Sequence, residues 1–163
     1  MGSYLDYTKI RDVVFGKLVT YSWTLPAAAE TDTLFTVHTG NILVTSLLGE
    51  VTTLIGSTAT TLALGAKPTI ASGTEETAGI ATATAITSKE AGTWVTPQAS
   101  SGAAGALVVG GHAGNAVYLP TAFVVGPGTI EATTSANAGA GVMFWYLTYV
   151  PLDTGAYVGS GTN

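Results

Sequence analysis

Apolar and polar positions alternate with a period of two in short runs separated by Gly, Pro, Asn and Thr, a pattern of strands rather than helices. Phe123 and Val125 alternate up to Gly126-Pro127-Gly128, a turn in which glycine supplies a positive φ and proline fixes its own. Ile130 and Ala132 then alternate with Thr129, Glu131 and Thr133, which predicts a strand with one dry and one wet face. The run from Val142 to Pro151 is different. Val142, Phe144 and Tyr146 share one parity and Met143, Trp145 and Leu147 the other, so both faces are apolar. Such a strand is expected to be covered on both sides. A neighbouring subunit is one source of the second layer, which makes Met143, Trp145 and Leu147 the subunit-interface candidates.

The rest of the chain continues the theme. Leu18 to Leu25 reads as a strand ended by Pro26, residues 27–32 as a connection, and Thr33 to Thr39 as a strand closed by a Gly40-Asn41 turn. Ile42 to Ile55 is too long for one flat strand. Ile42, Val44 and Leu48 have one parity and Val51 and Ile55 the other, so a β-bulge is expected near Gly49. Further strands are expected at residues 59–64, 80–87, 92–97 (stopped by Pro97), 106–109 and 116–120. Loops are expected at 67–77 and 98–105, a turn at 110–115 and a loose tail from Gly155. About ten short strands joined by glycine-rich turns predict an all-β protein, an antiparallel β-sandwich or jelly-roll-like domain.

Residues 1–17 stand apart, with Tyr4, Leu5, Tyr7, Ile10, Val13, Val14 and Phe15 set among mixed charges. They are expected to form a peripheral N-terminal arm or a short helix, with residues 18–163 making a single β-sandwich domain. Tyr4, Leu5, Tyr7, Lys9, Arg11 and Phe15 are its candidate contacts for a partner.

Composition sharpens this. Charged residues make up 9% of the chain, against roughly 25% in an ordinary globular domain. Between Ala91 and Leu152 the only formal charge is Glu131. Thr, Ser, Gly and Ala replace the usual charged surface, which suits a protein that lives assembled. A net charge of −5, with three of five basic residues in the first 17 positions, lacks the clustered cations that nucleic acid requires. No run of 18 apolar residues signals a membrane helix and the start lacks a secretory leader's apolar core, so neither membrane nor secretion is expected. With no cysteine there is neither disulfide nor thiolate metal site.

Catalytic material is sparse. The two histidines, His38 within a strand and His112 in a glycine turn, have neither a nucleophile elbow nor a metal-spaced partner nearby. Glu75-Glu76 reads as a solvated loop pair, and the glycines near residues 102–111 lack the Lys-Ser/Thr of a phosphate loop. No enzyme activity, cofactor or metal is expected. Trp23, Trp94, Trp145 and Tyr146 are candidates for a sugar-stacking platform, with core packing the alternative role, above all for Trp145.

The segments Thr33 to Ile55, Thr60 to Thr69, Phe123 to Asn137 and Phe144 to Leu152 resemble small β-rich structural proteins of tailed-bacteriophage virions. They are most similar to those that decorate or cement the head. The resemblance implies a homotrimer made in the host cytoplasm and seated on the outer surface of the capsid, where it binds the major capsid protein and stabilises the lattice. A tail, baseplate or fibre protein, or a carbohydrate-binding host-recognition module, is the alternative.

Overall fold

A computed structural model describes residues 12, 15–69, 76–100, 103–114, 122–136, 139 and 141–161. The strands are β1 (Lys17–Thr24), β2 (Glu30–His38), β3 (Ile42–Thr53), β4 (Thr61–Pro68), β5 (Glu76–Ala85) and β6 (Trp94–Ser100). They continue with β7 (Ala103–Val109), β8 (Phe123–Val125), β9 (Gly128–Thr134), β10 (Val142–Pro151) and β11 (Tyr157–Ser160). The all-β class is as expected. The strands follow one ladder, β1-β10-β3-β6-β7-β5-β4-β9-β2-β11, with β8 beside β3. This single sheet curls until β1 comes near β11 and β2, so that it is nearly closed into a barrel. One pairing departs from the antiparallel expectation: β5 and β7 run parallel, with Ala81 opposite Gly105 and Thr82 opposite Ala106.

Side chains bridge the seam that the backbone leaves open. Trp23 on β1 donates its indole N–H to Asp32 Oδ2 on β2 at 2.9 Å. Tyr21 meets Phe35 edge-on at 6.5 Å, and the Tyr149 hydroxyl accepts the Val158 N–H at 3.2 Å. The curled sheet encloses one core, whose largest fully buried members are Trp23, Trp145 and Phe35.

β3 switches face as its parity predicts, at a different place. Val44 pairs with Tyr149 and Ser46 with Thr148, leaving Thr45 as the extra residue; Val51 pairs with Met143 and Thr53 with Val142, leaving Thr52. Each bulge lies at a threonine whose hydroxyl donates to the carbonyl across the strand, Thr45 to Thr148 at 3.1 Å and Thr52 to Val142 at 3.2 Å. Leu47 therefore enters the core and Leu48 turns outward. Gly49 serves another purpose. It lies opposite Trp145, and a Cβ there would stand 3.0 Å from the indole ring.

Other expectations are corrected. Pro97 does not stop β6, because β3 pairs with β6 only through Trp94 and Val95, so no ladder bond is lost at the proline. Parts of the expected 98–105 linker are strand, at the end of β6 and the start of β7. The expected tail contains β11, which pairs with β2 and buries Val158. Glu131, expected on a wet face, is 7% exposed, because β9 is flanked by both β2 and β4; Thr129 donates to its Oε1 at 2.7 Å. At the β2–β3 turn the positive φ falls on Thr39 (60°), and Asp153 Oδ2 accepts both the backbone and side-chain N–H of Asn41 at 2.7 and 2.8 Å. Gly128 does take a positive φ, 154°, where a Cβ would collide with the Lys67 carbonyl oxygen. The expected strand at 116–120 lies outside the described residues.

Candidate binding face

β10 has two apolar faces with different fates. Met143, Trp145 and Leu147 are 0% exposed and Tyr149 3%, all inside the chain's own core. This corrects their assignment to a subunit interface: the cover for that parity comes from the far wall of the same barrel. The other parity, Val142, Phe144, Tyr146 and Thr148, is half-buried, and Val150 is exposed. That outer face is what a neighbour or ligand can reach.

Register fixes what surrounds it. On the β1 side Leu18, Thr20, Ser22 and Thr24 lie opposite Thr148, Tyr146, Phe144 and Val142. On the β3 side Ser46, Leu48 and Glu50 lie opposite Thr148, Tyr146 and Phe144, and Leu43 lies opposite Val150. The face has two ends.

At the Val150 end, Val150, Leu43 and Val124 form one cross-strand row through β10, β3 and β8. Val124 is 61% exposed, and Leu18, which lies across from Thr148 on the other side of β10, is 51% exposed. Large apolar side chains gathered on a surface mark an interaction site more often than scattered ones do. Phe15, just before β1, is 71% exposed. It is the one arm candidate among the described residues; Tyr4, Leu5, Tyr7, Lys9 and Arg11 lie outside them.

At the other end the face is aromatic. Tyr146 lies 5.0 Å from Phe144, edge-on, and 5.9 Å from Trp94, tilted by 39°. Trp94 arrives there because Trp94 pairs with Glu50 across β3 and β6. The Tyr146 hydroxyl donates to Glu50 Oε2 at 3.2 Å. Partial burial, followed by the Glu50 charge and its hydrogen bond, raises the Tyr146 pKa above its ordinary value. Of the four residues suggested as a stacking platform, Trp94 and Tyr146 meet here, while Trp23 and Trp145 are core. Sequence reasoning missed Phe144 and Glu50. Phe144 was legible from its parity with Tyr146, whereas Glu50 required the β3–β10 register.

The histidines stay apart from each other. His38 stacks on Tyr157 at 4.5 Å, and His112 Nδ1 lies 3.6 Å from Glu90 Oε1 on the surface. Among the described residues no group of three or more His, Cys, Asp or Glu could hold a metal ion.

Comparison with protein-family models, with curated proteins and with solved structures gives no match for this chain.

Proposed function

We propose that this chain is a non-enzymatic structural protein of a tailed-phage virion, a decoration protein that oligomerises and seats on the major capsid lattice. The observation that carries the reading is the apolar row in which exposed Val150 and Val124 flank half-buried Leu43, with exposed Leu18 diagonal to Val150 across β10 and β1. It lies on a chain whose charged residues are only 9% of the total. Burying that row against a subunit would remove it from water, at about 25 cal/mol per Å² of apolar area. Repeated over a shell, a few kcal/mol per site is enough to change particle stability. In this reading the barrel is the seat, and the residues before β1 are the candidates for a further contact with the lattice.

The test is native mass together with binding to assembled heads lacking the protein. Three copies of the 16.4 kDa chain, about 49 kDa, are expected. Val124→Glu is expected to keep the fold and lose head binding. A monomer that binds tails or fibres but not heads would replace the decoration reading with the tail one.

A further inference from the structure

The aromatic end of the β10 face has a chemistry that the virion reading does not use. We infer that Trp94, Tyr146 and Phe144, with Glu50 and the hydroxyls of Thr20, Ser22 and Thr24, form a binding site for a neutral oligosaccharide. The inference stands independently of any role on a capsid.

Three observations on one surface carry it. First, the rings form a connected cluster, each half-buried, so that aromatic surface is both held by the sheet and open to water. Aromatic faces attract partly positive C–H groups, which the apolar side of a pyranose presents. Second, the aromatic row has a hydroxyl row next to it. Thr20 lies opposite Tyr146, Ser22 opposite Phe144 and Thr24 opposite Val142, all three exposed and with no side-chain hydroxyl hydrogen bond among the described residues. Directly opposed residues on paired strands have Cβ atoms about 5 Å apart. A sugar resting on the rings therefore has hydroxyl donors and acceptors at its edge. Third, Glu50 lies beside the cluster with Oε2 held by Tyr146 and Oε1 without a hydrogen bond among the described residues. A fixed carboxylate is a strong acceptor for sugar hydroxyls.

Charge selects among ligands. Single-stranded nucleic acid also stacks on aromatic platforms, but those platforms lie in positively charged grooves that track the phosphates. The strand positions framing this cluster carry one charge, the Glu50 carboxylate, and no cation. The same carboxylate repels sulfated and sialylated glycans. A neutral hexose polymer fits, and the modest area of three rings implies affinity in the millimolar range.

The three tryptophans make the test direct. Trp23 and Trp145 are 0% exposed, so aqueous quenchers and added ligands reach Trp94 alone. The full chain is titrated with cellohexaose, maltohexaose and chitohexaose, with a heparin hexasaccharide as anionic comparator, while Trp94 emission and its quenching by acrylamide are read. Saturable protection of Trp94 by at least one neutral hexasaccharide is expected, with little from heparin. By calorimetry, Trp94→Ala weakens binding at least about tenfold and Glu50→Gln several-fold, with melting temperatures near that of the parent. Glu50→Gln preserves shape, so it remains informative if Trp94→Ala folds poorly. The inference is overturned by no response to any neutral probe, by binding that survives Trp94→Ala, or by heparin binding as tightly as the neutral sugars. It is equally overturned if Trp94 becomes protected as protein concentration rises without sugar, since a second copy would then be the occupant.

Discussion

The two faces of β10 are nearly equal in apolar character and opposite in fate. Met143, Trp145, Leu147 and Tyr149 disappear into the barrel, while Phe144, Tyr146 and Val150 remain at the surface on the same ten-residue strand. Composition alone would assign both faces a cover. Curvature decides which one receives it: a single sheet that curls back on itself covers its concave side and leaves the convex side bare. The inner face therefore reports on stability and the outer face on binding, and substitutions on each should separate the two properties.

The largest effect is expected from Trp145→Ala, which empties the centre of the core and should cost about 3–5 kcal/mol in urea unfolding. A loss below about 1 kcal/mol would mean that the inner face is less packed than described. Next is Gly49→Val. The glycine makes room for the Trp145 ring, so overpacking there should cost about 1–3 kcal/mol. Asp32→Ala leaves the buried Trp23 indole in place but removes the carboxylate that accepts its N–H across the seam, for about 1 kcal/mol; an unchanged midpoint would show that the seam does not depend on this bond. On the outer face, Phe144→Ser should cost about 1 kcal/mol, chiefly the edge-on contact with Tyr146, while weakening glycan binding. A large destabilisation would erase the contrast between the faces.

The smallest effect is a pH dependence. Tyr146 has its pKa raised by burial and by Glu50, and Tyr21 by burial and then by Asp32. The folded state therefore holds these protons more tightly than the unfolded one. Their contribution is fully present below the ordinary value of 10.0 and is lost as pH rises through the higher folded values. Tyr146→Phe should flatten part of the stability decline measured above that pH; a slope unchanged in the variant would remove Tyr146 as its source.

Much of the fold was legible because local parity survives into the structure. β1, β2, β8, β9 and β10 lie close to where alternation puts them. What was not legible depends on partners distant in sequence. Thr45 and Thr52 look like any other strand threonines until the β10 register makes them bulges. Val158 is too short a signal to predict β11, which exists because β2 offers it an edge. Pro97 looked like a stop because sequence cannot show that β3 leaves β6 after two pairs. The binding face was half legible: the aromatic parity of β10 was visible, but which parity faces outward follows from the direction in which the sheet curls. Trp94 and Glu50 join the cluster only through strand pairing.

The ladder also sets a timetable for synthesis. β1 and β3 share one central partner, β10, whose first residue is Val142. Lys17 of β1 must wait for Tyr149, a span that a ribosome translating about 5–20 residues per second crosses in roughly 7–26 s. During that interval the first strand lacks its ladder partner and meets only side chains of β2, and its one charge, Lys17, gives it little protection against pairing with another nascent chain. A ribosome-bound chain halted before Val142 should therefore expose β1 to protease and to chaperones, and release through residue 151 should close that window in a single step.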